Sequence, residues 1–204
     1  MPNVAILGHL GLFLRRGFLS AEWCRQIRNE MAAAARVPAM VRPPGEQGGV
    51  LDQTRRRTSV ASVSASTTGM VEDLLRATQP ALEQHFLVQL AGWQGPQFYI
   101  YEEGDFFLPP RDRDSEDPVA PDWVRSRQVS VSIFLNDVRG GLDAEPHGGG
   151  SLVLYGHRGD RSGSGFAIPL ESEEGMFVAF RSDWVHEVKP VTSGRRYSIV
   201  TWYV

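Results

Sequence analysis

Hydrophobic and polar positions along this chain follow two regimes that meet near Gln97. Before that point the spacing is helical. Trp23, Ile27, Met31 and Ala34 recur behind Ser20, a good N-cap, and predict a first helix with one buried face. Val71, Leu74, Leu75, Leu82, Phe86 and Leu90 form a second apolar stripe, predicting a helix from about Thr68 to Leu90. Pro80 should kink or divide that helix and Gly92 should end it. The small, β-branched run 59–67 predicts a strand, residues 1–19 a lead-in strand or turn, and the Pro/Gly-rich stretch 38–58 a loop.

From Gln97 the period becomes two. Phe98–Tyr101 predicts a strand, and Val129, Val131, Ile133 and Leu135 alternate with Ser130, Ser132, Phe134 and Asn136 as a half-buried strand should. Ser151–Tyr155 and Gly165–Pro169 predict two more. The C-terminus holds three further runs, Met176–Phe180, Trp184–Val188 and Tyr197–Tyr203, split by turns at Arg181-Ser182-Asp183 and Thr192-Ser193-Gly194. Two helices followed by seven or eight short strands predict an α+β, mainly β chain, with helices packed on a β-sandwich.

The 204 residues suit a single domain, with 1–96 as a helical lead-in and 97–204 as the β core. A net charge of −3 gives no general attraction to nucleic acid or to an anionic membrane. The single cysteine, Cys24, rules out an intramolecular disulfide and points to a reducing compartment; beside the first helix's apolar face, it reads as a packed thiol. Val4–Leu14 is mildly apolar but follows no basic region, and no apolar run reaches membrane-spanning length. The expectation is a soluble, cytoplasmic protein.

Candidate chemistry lies at the C-terminus. His186 sits within one strand-like run and Arg196 opens the next, so both can face one cavity. Imidazole is a good iron ligand, and a guanidinium grips a carboxylate with two parallel hydrogen bonds. The pair suggests a metal together with an acidic small molecule.

The segment His186-Glu-Val-Lys-Pro-Val-Thr-Ser-Gly-Arg-Arg196-Tyr-Ser198 resembles the C-terminal motif of iron(II)/2-oxoglutarate-dependent oxygenases, in particular the prolyl-4-hydroxylase-like branch. The resemblance implies a double-stranded β-helix (jelly roll) with the N-terminal helices packed outside the major sheet. It also implies Fe(II) and 2-oxoglutarate as cofactors, with ascorbate as reductant. His186 would be the distal iron ligand. Arg196, helped by Ser198 and Tyr101, would bind the distal carboxylate of 2-oxoglutarate. Aligned on Tyr101 and Gly104, Asp112 falls on the carboxylate ligand, whereas the first histidine ligand falls on Pro110. Proline offers no donor atom, so the triad of two histidines and a carboxylate is incomplete. Arg111 and Arg113 flank the remaining carboxylate. Asp114 or His147 is the candidate third ligand; His157 and His9 have less support, and 2-oxoglutarate itself could help hold the ion.

Ile133, Leu135 and Val188 are the expected apolar walls, and Trp184 and Trp202 are expected in the core. Loops 38–58 and 103–127 would cover the mouth. The second is charged and Pro-rich, which suits a small polar molecule or a peptide as substrate, with no nucleic-acid or membrane partner. Two readings stand: a hydroxylase-type dioxygenase, or a metal-free or catalytically altered jelly roll that binds 2-oxoglutarate or another small carboxylate. Substrate and oligomeric state are left open.

Overall fold

Alternation along residues 129–136 sorts side chains onto two faces, and each face packs against a different layer. The computed structural model of the chain describes residues 7–8, 10–43, 45–108, 112, 117–138, 145–155 and 167–204. The first half contains β1 (Phe13–Arg15), α1 (Ala21–Ala33), β2 (Arg36–Pro38), β3 (Arg56–Arg57), β4 (Ser59–Ala61) and α2 (Ala65–Phe86). Then come β5 (Gln97–Tyr101), β6 (Phe106–Phe107), α3 (Asp122–Arg125), β7 (Val129–Phe134), β8 (Gly148–Gly149) and β9 (Leu152–Leu154). The chain finishes with β10 (Ile168–Leu170), β11 (Phe177–Arg181), β12 (His186–Val188), β13 (Val191–Ser193) and β14 (Arg196–Tyr203).

Among the described residues the strands form a seven-stranded sheet, β1-β11-β7-β14-β5-β4-β2, and a five-stranded sheet, β10-β9-β12-β6-β3, with a short β8–β13 ladder beside them. On the outer face of the larger sheet, Val129, Val131, Ile133 and Leu135 pack with Ile27 and Met31 of α1 and with Val71, Leu75 and Leu82 of α2. Its inner face brings Tyr99, Tyr101, Phe134, Val178 and Phe180 against Leu152, Leu154, Ile168 and Val188 of the smaller sheet. Each such aliphatic side chain contributes about 1.5–3 kcal/mol by leaving water. The result is a double-stranded β-helix with its helices outside the major sheet.

The helices depart in detail from the apolar pattern. Ser20 does cap α1, accepting from the Trp23 amide at 3.2 Å. The buried face, however, is Cys24, Ile27, Arg28 and Met31, while Trp23 is 38% exposed. The stripe is turned by one position because Arg28 is drawn inward. It pairs with Glu174 at 2.5 Å and donates to the Leu135 carbonyl, which satisfies a charge that would otherwise be costly to bury. Cys24 is fully buried, and burial pushes its thiol up to about 12, so it is an inert packed group.

The run 59–67 is not one strand. Only Ser59–Ala61 is extended; Ser64 then caps α2, accepting from the Thr67 amide at 3.2 Å. Glu30 of α1 holds that start, accepting from the Ser64 amide at 2.8 Å and from the Thr67 hydroxyl at 2.7 Å. α2 runs unbroken through Pro80, whose missing N–H costs one bond to the Arg76 carbonyl, while Val71, Leu75, Thr78 and Leu82 keep both halves seated on the sheet. It ends before Gly92, at Leu87 in the left-handed conformation (φ 55°). Glu83 and Gln79 then satisfy the Leu90 amide and carbonyl at 3.0 and 2.6 Å. The expected loop 38–58 contains β3 and a Val41–Val50 bridge. The strand expected at Gly165–Pro169 lies at Ile168–Leu170. Among the described residues no helix is long and apolar enough to cross a membrane.

Candidate functional site

Between the two sheets lies a cavity of about 220 Å³. Its floor follows from strand alternation. β14 turns Arg196, Ser198, Val200 and Trp202 inward; Tyr101, Tyr99 and Gln97 of β5 stand opposite the first three, and Ser130 of β7 opposite the last. The groove therefore has a guanidinium at one end and an indole at the other. His186 and Val188 of β12, Leu152 of β9 and Phe107 of β6 face it from the smaller sheet.

At the first end Arg196 is 1% exposed. Its Nη1 donates to Ser198 Oγ at 3.0 Å, and its guanidinium lies 5.0 and 5.2 Å from the ring centroids of Tyr101 and Phe134. Its buried Nε has no hydrogen-bond partner, and no carboxylate pairs with it among the described residues. Burial lowers its pKa, with the Tyr101 hydroxyl partly opposing. A buried cation without a counterion is expensive, and an anionic ligand would relieve that cost.

His147 lies close to Arg196. Gly150, at φ +69°, leaves room for both side chains: a Cβ there would meet Arg196 Cδ at 2.9 Å and His147 Cε1 at 3.5 Å. His147 is 2% exposed, and neither ring nitrogen has a partner. Burial, with the Arg196 charge second, lowers its pKa to about 4, so the ring is neutral.

Asp112 and His186 meet further along, with Oδ2 and Nε2 3.6 Å apart and both side chains largely buried. The Trp184 carbonyl lies 3.1 Å from His186 Nδ1. A carbonyl only accepts, so Nδ1 carries a proton and Nε2 is the nitrogen that faces Asp112. Burial pushes the Asp112 carboxyl up, but nearby His186 and Arg127 more than offset this and hold it below the usual carboxylate value. Arg127 donates to the Asp112 backbone carbonyl at 3.3 Å and stacks 3.6 Å from the Trp202 ring centroid. A carboxylate and an imidazole Nε2 converging on one point fit two ligands of an iron ion, with the Trp184 carbonyl orienting the imidazole.

Among the described residues no third His, Cys, Asp or Glu joins them in a group that could hold a metal. His147, a candidate for that role, stands beside Arg196 instead. Pro110, Arg111, Arg113, Asp114, His157 and His9 lie outside the described residues.

Tyr101, Arg196, Ser198, Asp112, His186 and Val188 thus line one cavity, as expected. Ile133 and Leu135 do not; they face the helices, and Ser130, Ser132 and Phe134 take the inner side of β7. Trp184 packs half-buried against the inner core, while Trp202 is buried and lines the cavity under Arg127. The sequence reading missed Arg56, Tyr99, Gln97 and Arg127. Tyr99 and Gln97 were within reach of it, because they share a strand face with Tyr101.

The fold resembles several solved structures. A prolyl-4-hydroxylase from Pseudomonas putida aligns with a TM-score of 0.69 at 22% identity, covering 95% of this chain and 91% of that one. A prolyl hydroxylase from Trichoplax adhaerens, solved with a hypoxia inducible factor peptide fragment, gives 0.69 at 19% identity and covers 98% and 86%. A viral collagen prolyl hydroxylase from Paramecium Bursaria Chlorella virus-1 gives 0.59 at 14% identity, covering 94% of each. At these identities the likeness shows the fold. No curated protein sequence matches the chain. The sequence profile of the 2OG-Fe(II) oxygenase superfamily matches residues 96–204, more than half of the 204 residues, so this chain belongs to that superfamily.

Proposed function

We propose that the protein is an iron(II)- and 2-oxoglutarate-dependent oxygenase of the hydroxylase type, working with one protein ligand fewer than the usual triad. The observation that carries this reading is Arg196, a buried guanidinium without a carboxylate partner among the described residues, in the cavity where Asp112 and His186 converge. Arg196 and Ser198 bind the distal carboxylate of 2-oxoglutarate, and Tyr101 flanks it. Asp112 and His186 hold the iron. Pro110, at the position of the first histidine ligand, leaves the third place without a side-chain donor.

When bound, iron with 2-oxoglutarate and O2 supplies the oxidising chemistry that hydroxylates a C–H bond and releases succinate and CO2, with ascorbate as reductant. The chain's own part is binding and orientation. Arg196 sets the direction of the cosubstrate, the Trp184 carbonyl keeps the proton on Nδ1 of His186, and Val188, Leu152 and Phe107 exclude water. The substrate is a small molecule or a peptide; the solved relatives include prolyl hydroxylases, one of them holding a peptide fragment. The lone, reduced Cys24 supports a cytoplasmic location.

Anaerobic titration with Fe(II) and 2-oxoglutarate, followed by the weak visible charge-transfer band of the complex, tests this. Wild type should need about tenfold more iron than Pro110→His, since a restored ligand strengthens the site. Tight iron binding by wild type with no gain from Pro110→His would overturn the missing-ligand part. A second reading, a metal-free binder of 2-oxoglutarate or another small carboxylate, is favoured by the lack of a third donor among the described residues. It predicts 2-oxoglutarate binding with no band at any iron concentration.

A further inference from the structure

We infer that the same cavity is built to receive a second carboxylate through Arg56, so that the molecule oxidised is a small organic acid. This rests on the assignment of Arg196 to 2-oxoglutarate. Arg56, on β3, is 9% exposed. Its guanidinium is held between the rings of Tyr99 and Phe107, 4.3 and 4.2 Å from their centroids. The ring faces attract the cation, and the Tyr99 and Tyr101 hydroxyls lie near its N–H edge, but neither is a carboxylate. That edge is poorly served: Nη1 makes one long bond of 3.4 Å to the Met40 carbonyl, and the buried Nε has no partner.

Neighbouring arginines differ. Arg42 is paired with Asp117 at 2.8 Å, Arg57 with Asp105 at 2.9 Å and Arg55 with Asp52 at 3.7 Å. Among the described residues no carboxylate pairs with Arg56, although it lines the cavity. Arg127, also 9% exposed, adds a second cation; its bonds go to Gln94 and to a backbone carbonyl, both neutral.

The charge balance identifies the class of ligand. Among the described residues, Arg56, Arg127 and Arg196, none of them paired with a carboxylate side chain, line the cavity together with one acid, Asp112. The charges of Fe(II) and of 2-oxoglutarate cancel each other, so filling the cofactor sites leaves an excess of two guanidinium charges. A neutral peptide segment does nothing to offset that excess. A planar carboxylate does, and it matches the flat edge that the aromatic sandwich leaves open. Because that edge is buried inside the cavity, the acid must be small enough to enter.

The test is anaerobic calorimetry with Fe(II) and 2-oxoglutarate both saturating, using free amino acids and short monocarboxylic acids, each beside its primary amide. At least one acid should bind about tenfold more tightly than its amide. Arg56→Gln should erase that preference while keeping 2-oxoglutarate affinity within about threefold. The inference is overturned if no acid binds, if acids and amides bind alike, or if Arg56→Gln weakens 2-oxoglutarate as much as Arg196→Met does, which would place Arg56 in the cosubstrate pocket. Should Arg56→Gln not fold, Arg56→Lys keeps the charge, and the acid-to-amide ratio in wild type decides alone. If wild type fails to bind 2-oxoglutarate, the cosubstrate assignment falls by itself, and the comparison repeated without it still decides on Arg56.

Discussion

The two faces of the seven-stranded sheet are made by the same strands and do opposite work. Along β14, Tyr197, Ile199 and Tyr203 point to the helices and close a dry core, while Arg196, Ser198 and Trp202 point to the cavity. Along β7 the outward residues are Val129, Val131 and Ile133, and the cavity side carries Ser130 and Ser132. The outer face is packed almost wholly from apolar side chains, with Arg28 paired to Glu174. The inner face differs: among the described residues, Arg196 of β14 lies buried there without a carboxylate partner. Stability is thus concentrated on one face and binding on the other, and substitutions on each should report separately.

The largest effect on stability should come from the helix side. Leu82→Ala empties a fully buried position in the cluster joining α2 to the sheet and should cost about 2–5 kcal/mol of unfolding free energy, with 2-oxoglutarate affinity unchanged. Denaturant melts and calorimetry on one preparation check both halves; a large loss of affinity would show that the faces are coupled.

A smaller effect comes from His147. Its pKa is lowered from 6.5 to about 4 in the folded protein. Between those values the unfolded chain binds a proton that the folded chain refuses, so unfolding takes up a proton and stability falls as pH drops. The slope should approach ~1.4 kcal/mol per pH unit and vanish above 6.5 and below about 4. In His147→Gln that part of the slope should disappear, as urea melts across this range would show.

The pattern of apolar positions carried the architecture because alternation from Gln97 onward has a single physical meaning. What it could not decide was which face looks where. Val129, Val131, Ile133 and Leu135 suit a helix-facing core and an apolar cavity wall equally well, and only packing against Leu75 and Leu82 settles the choice. The same limit misplaced Trp23, since the inward pull on Arg28 comes from Glu174, far along the chain. Arg196, Ser198, Asp112 and His186 were legible because they sit in a spaced motif. Arg56 was not: within Arg55-Arg56-Arg57 nothing local distinguishes the buried member, and the rings that enclose it come from β5 and β6. His147 gained its place beside Arg196 through Gly150, a contact that spacing does not encode.

Arg196 exists for a ligand and not for the fold. Calorimetric titration of 2-oxoglutarate into wild type and Arg196→Met, paired with an unfolding curve for each, tests it most directly. The variant should lose about 2–5 kcal/mol of binding free energy while remaining at least as stable as wild type, because a buried charge without a carboxylate partner among the described residues has been removed. Unchanged affinity, or a loss of stability comparable to that of Leu82→Ala, would contradict it.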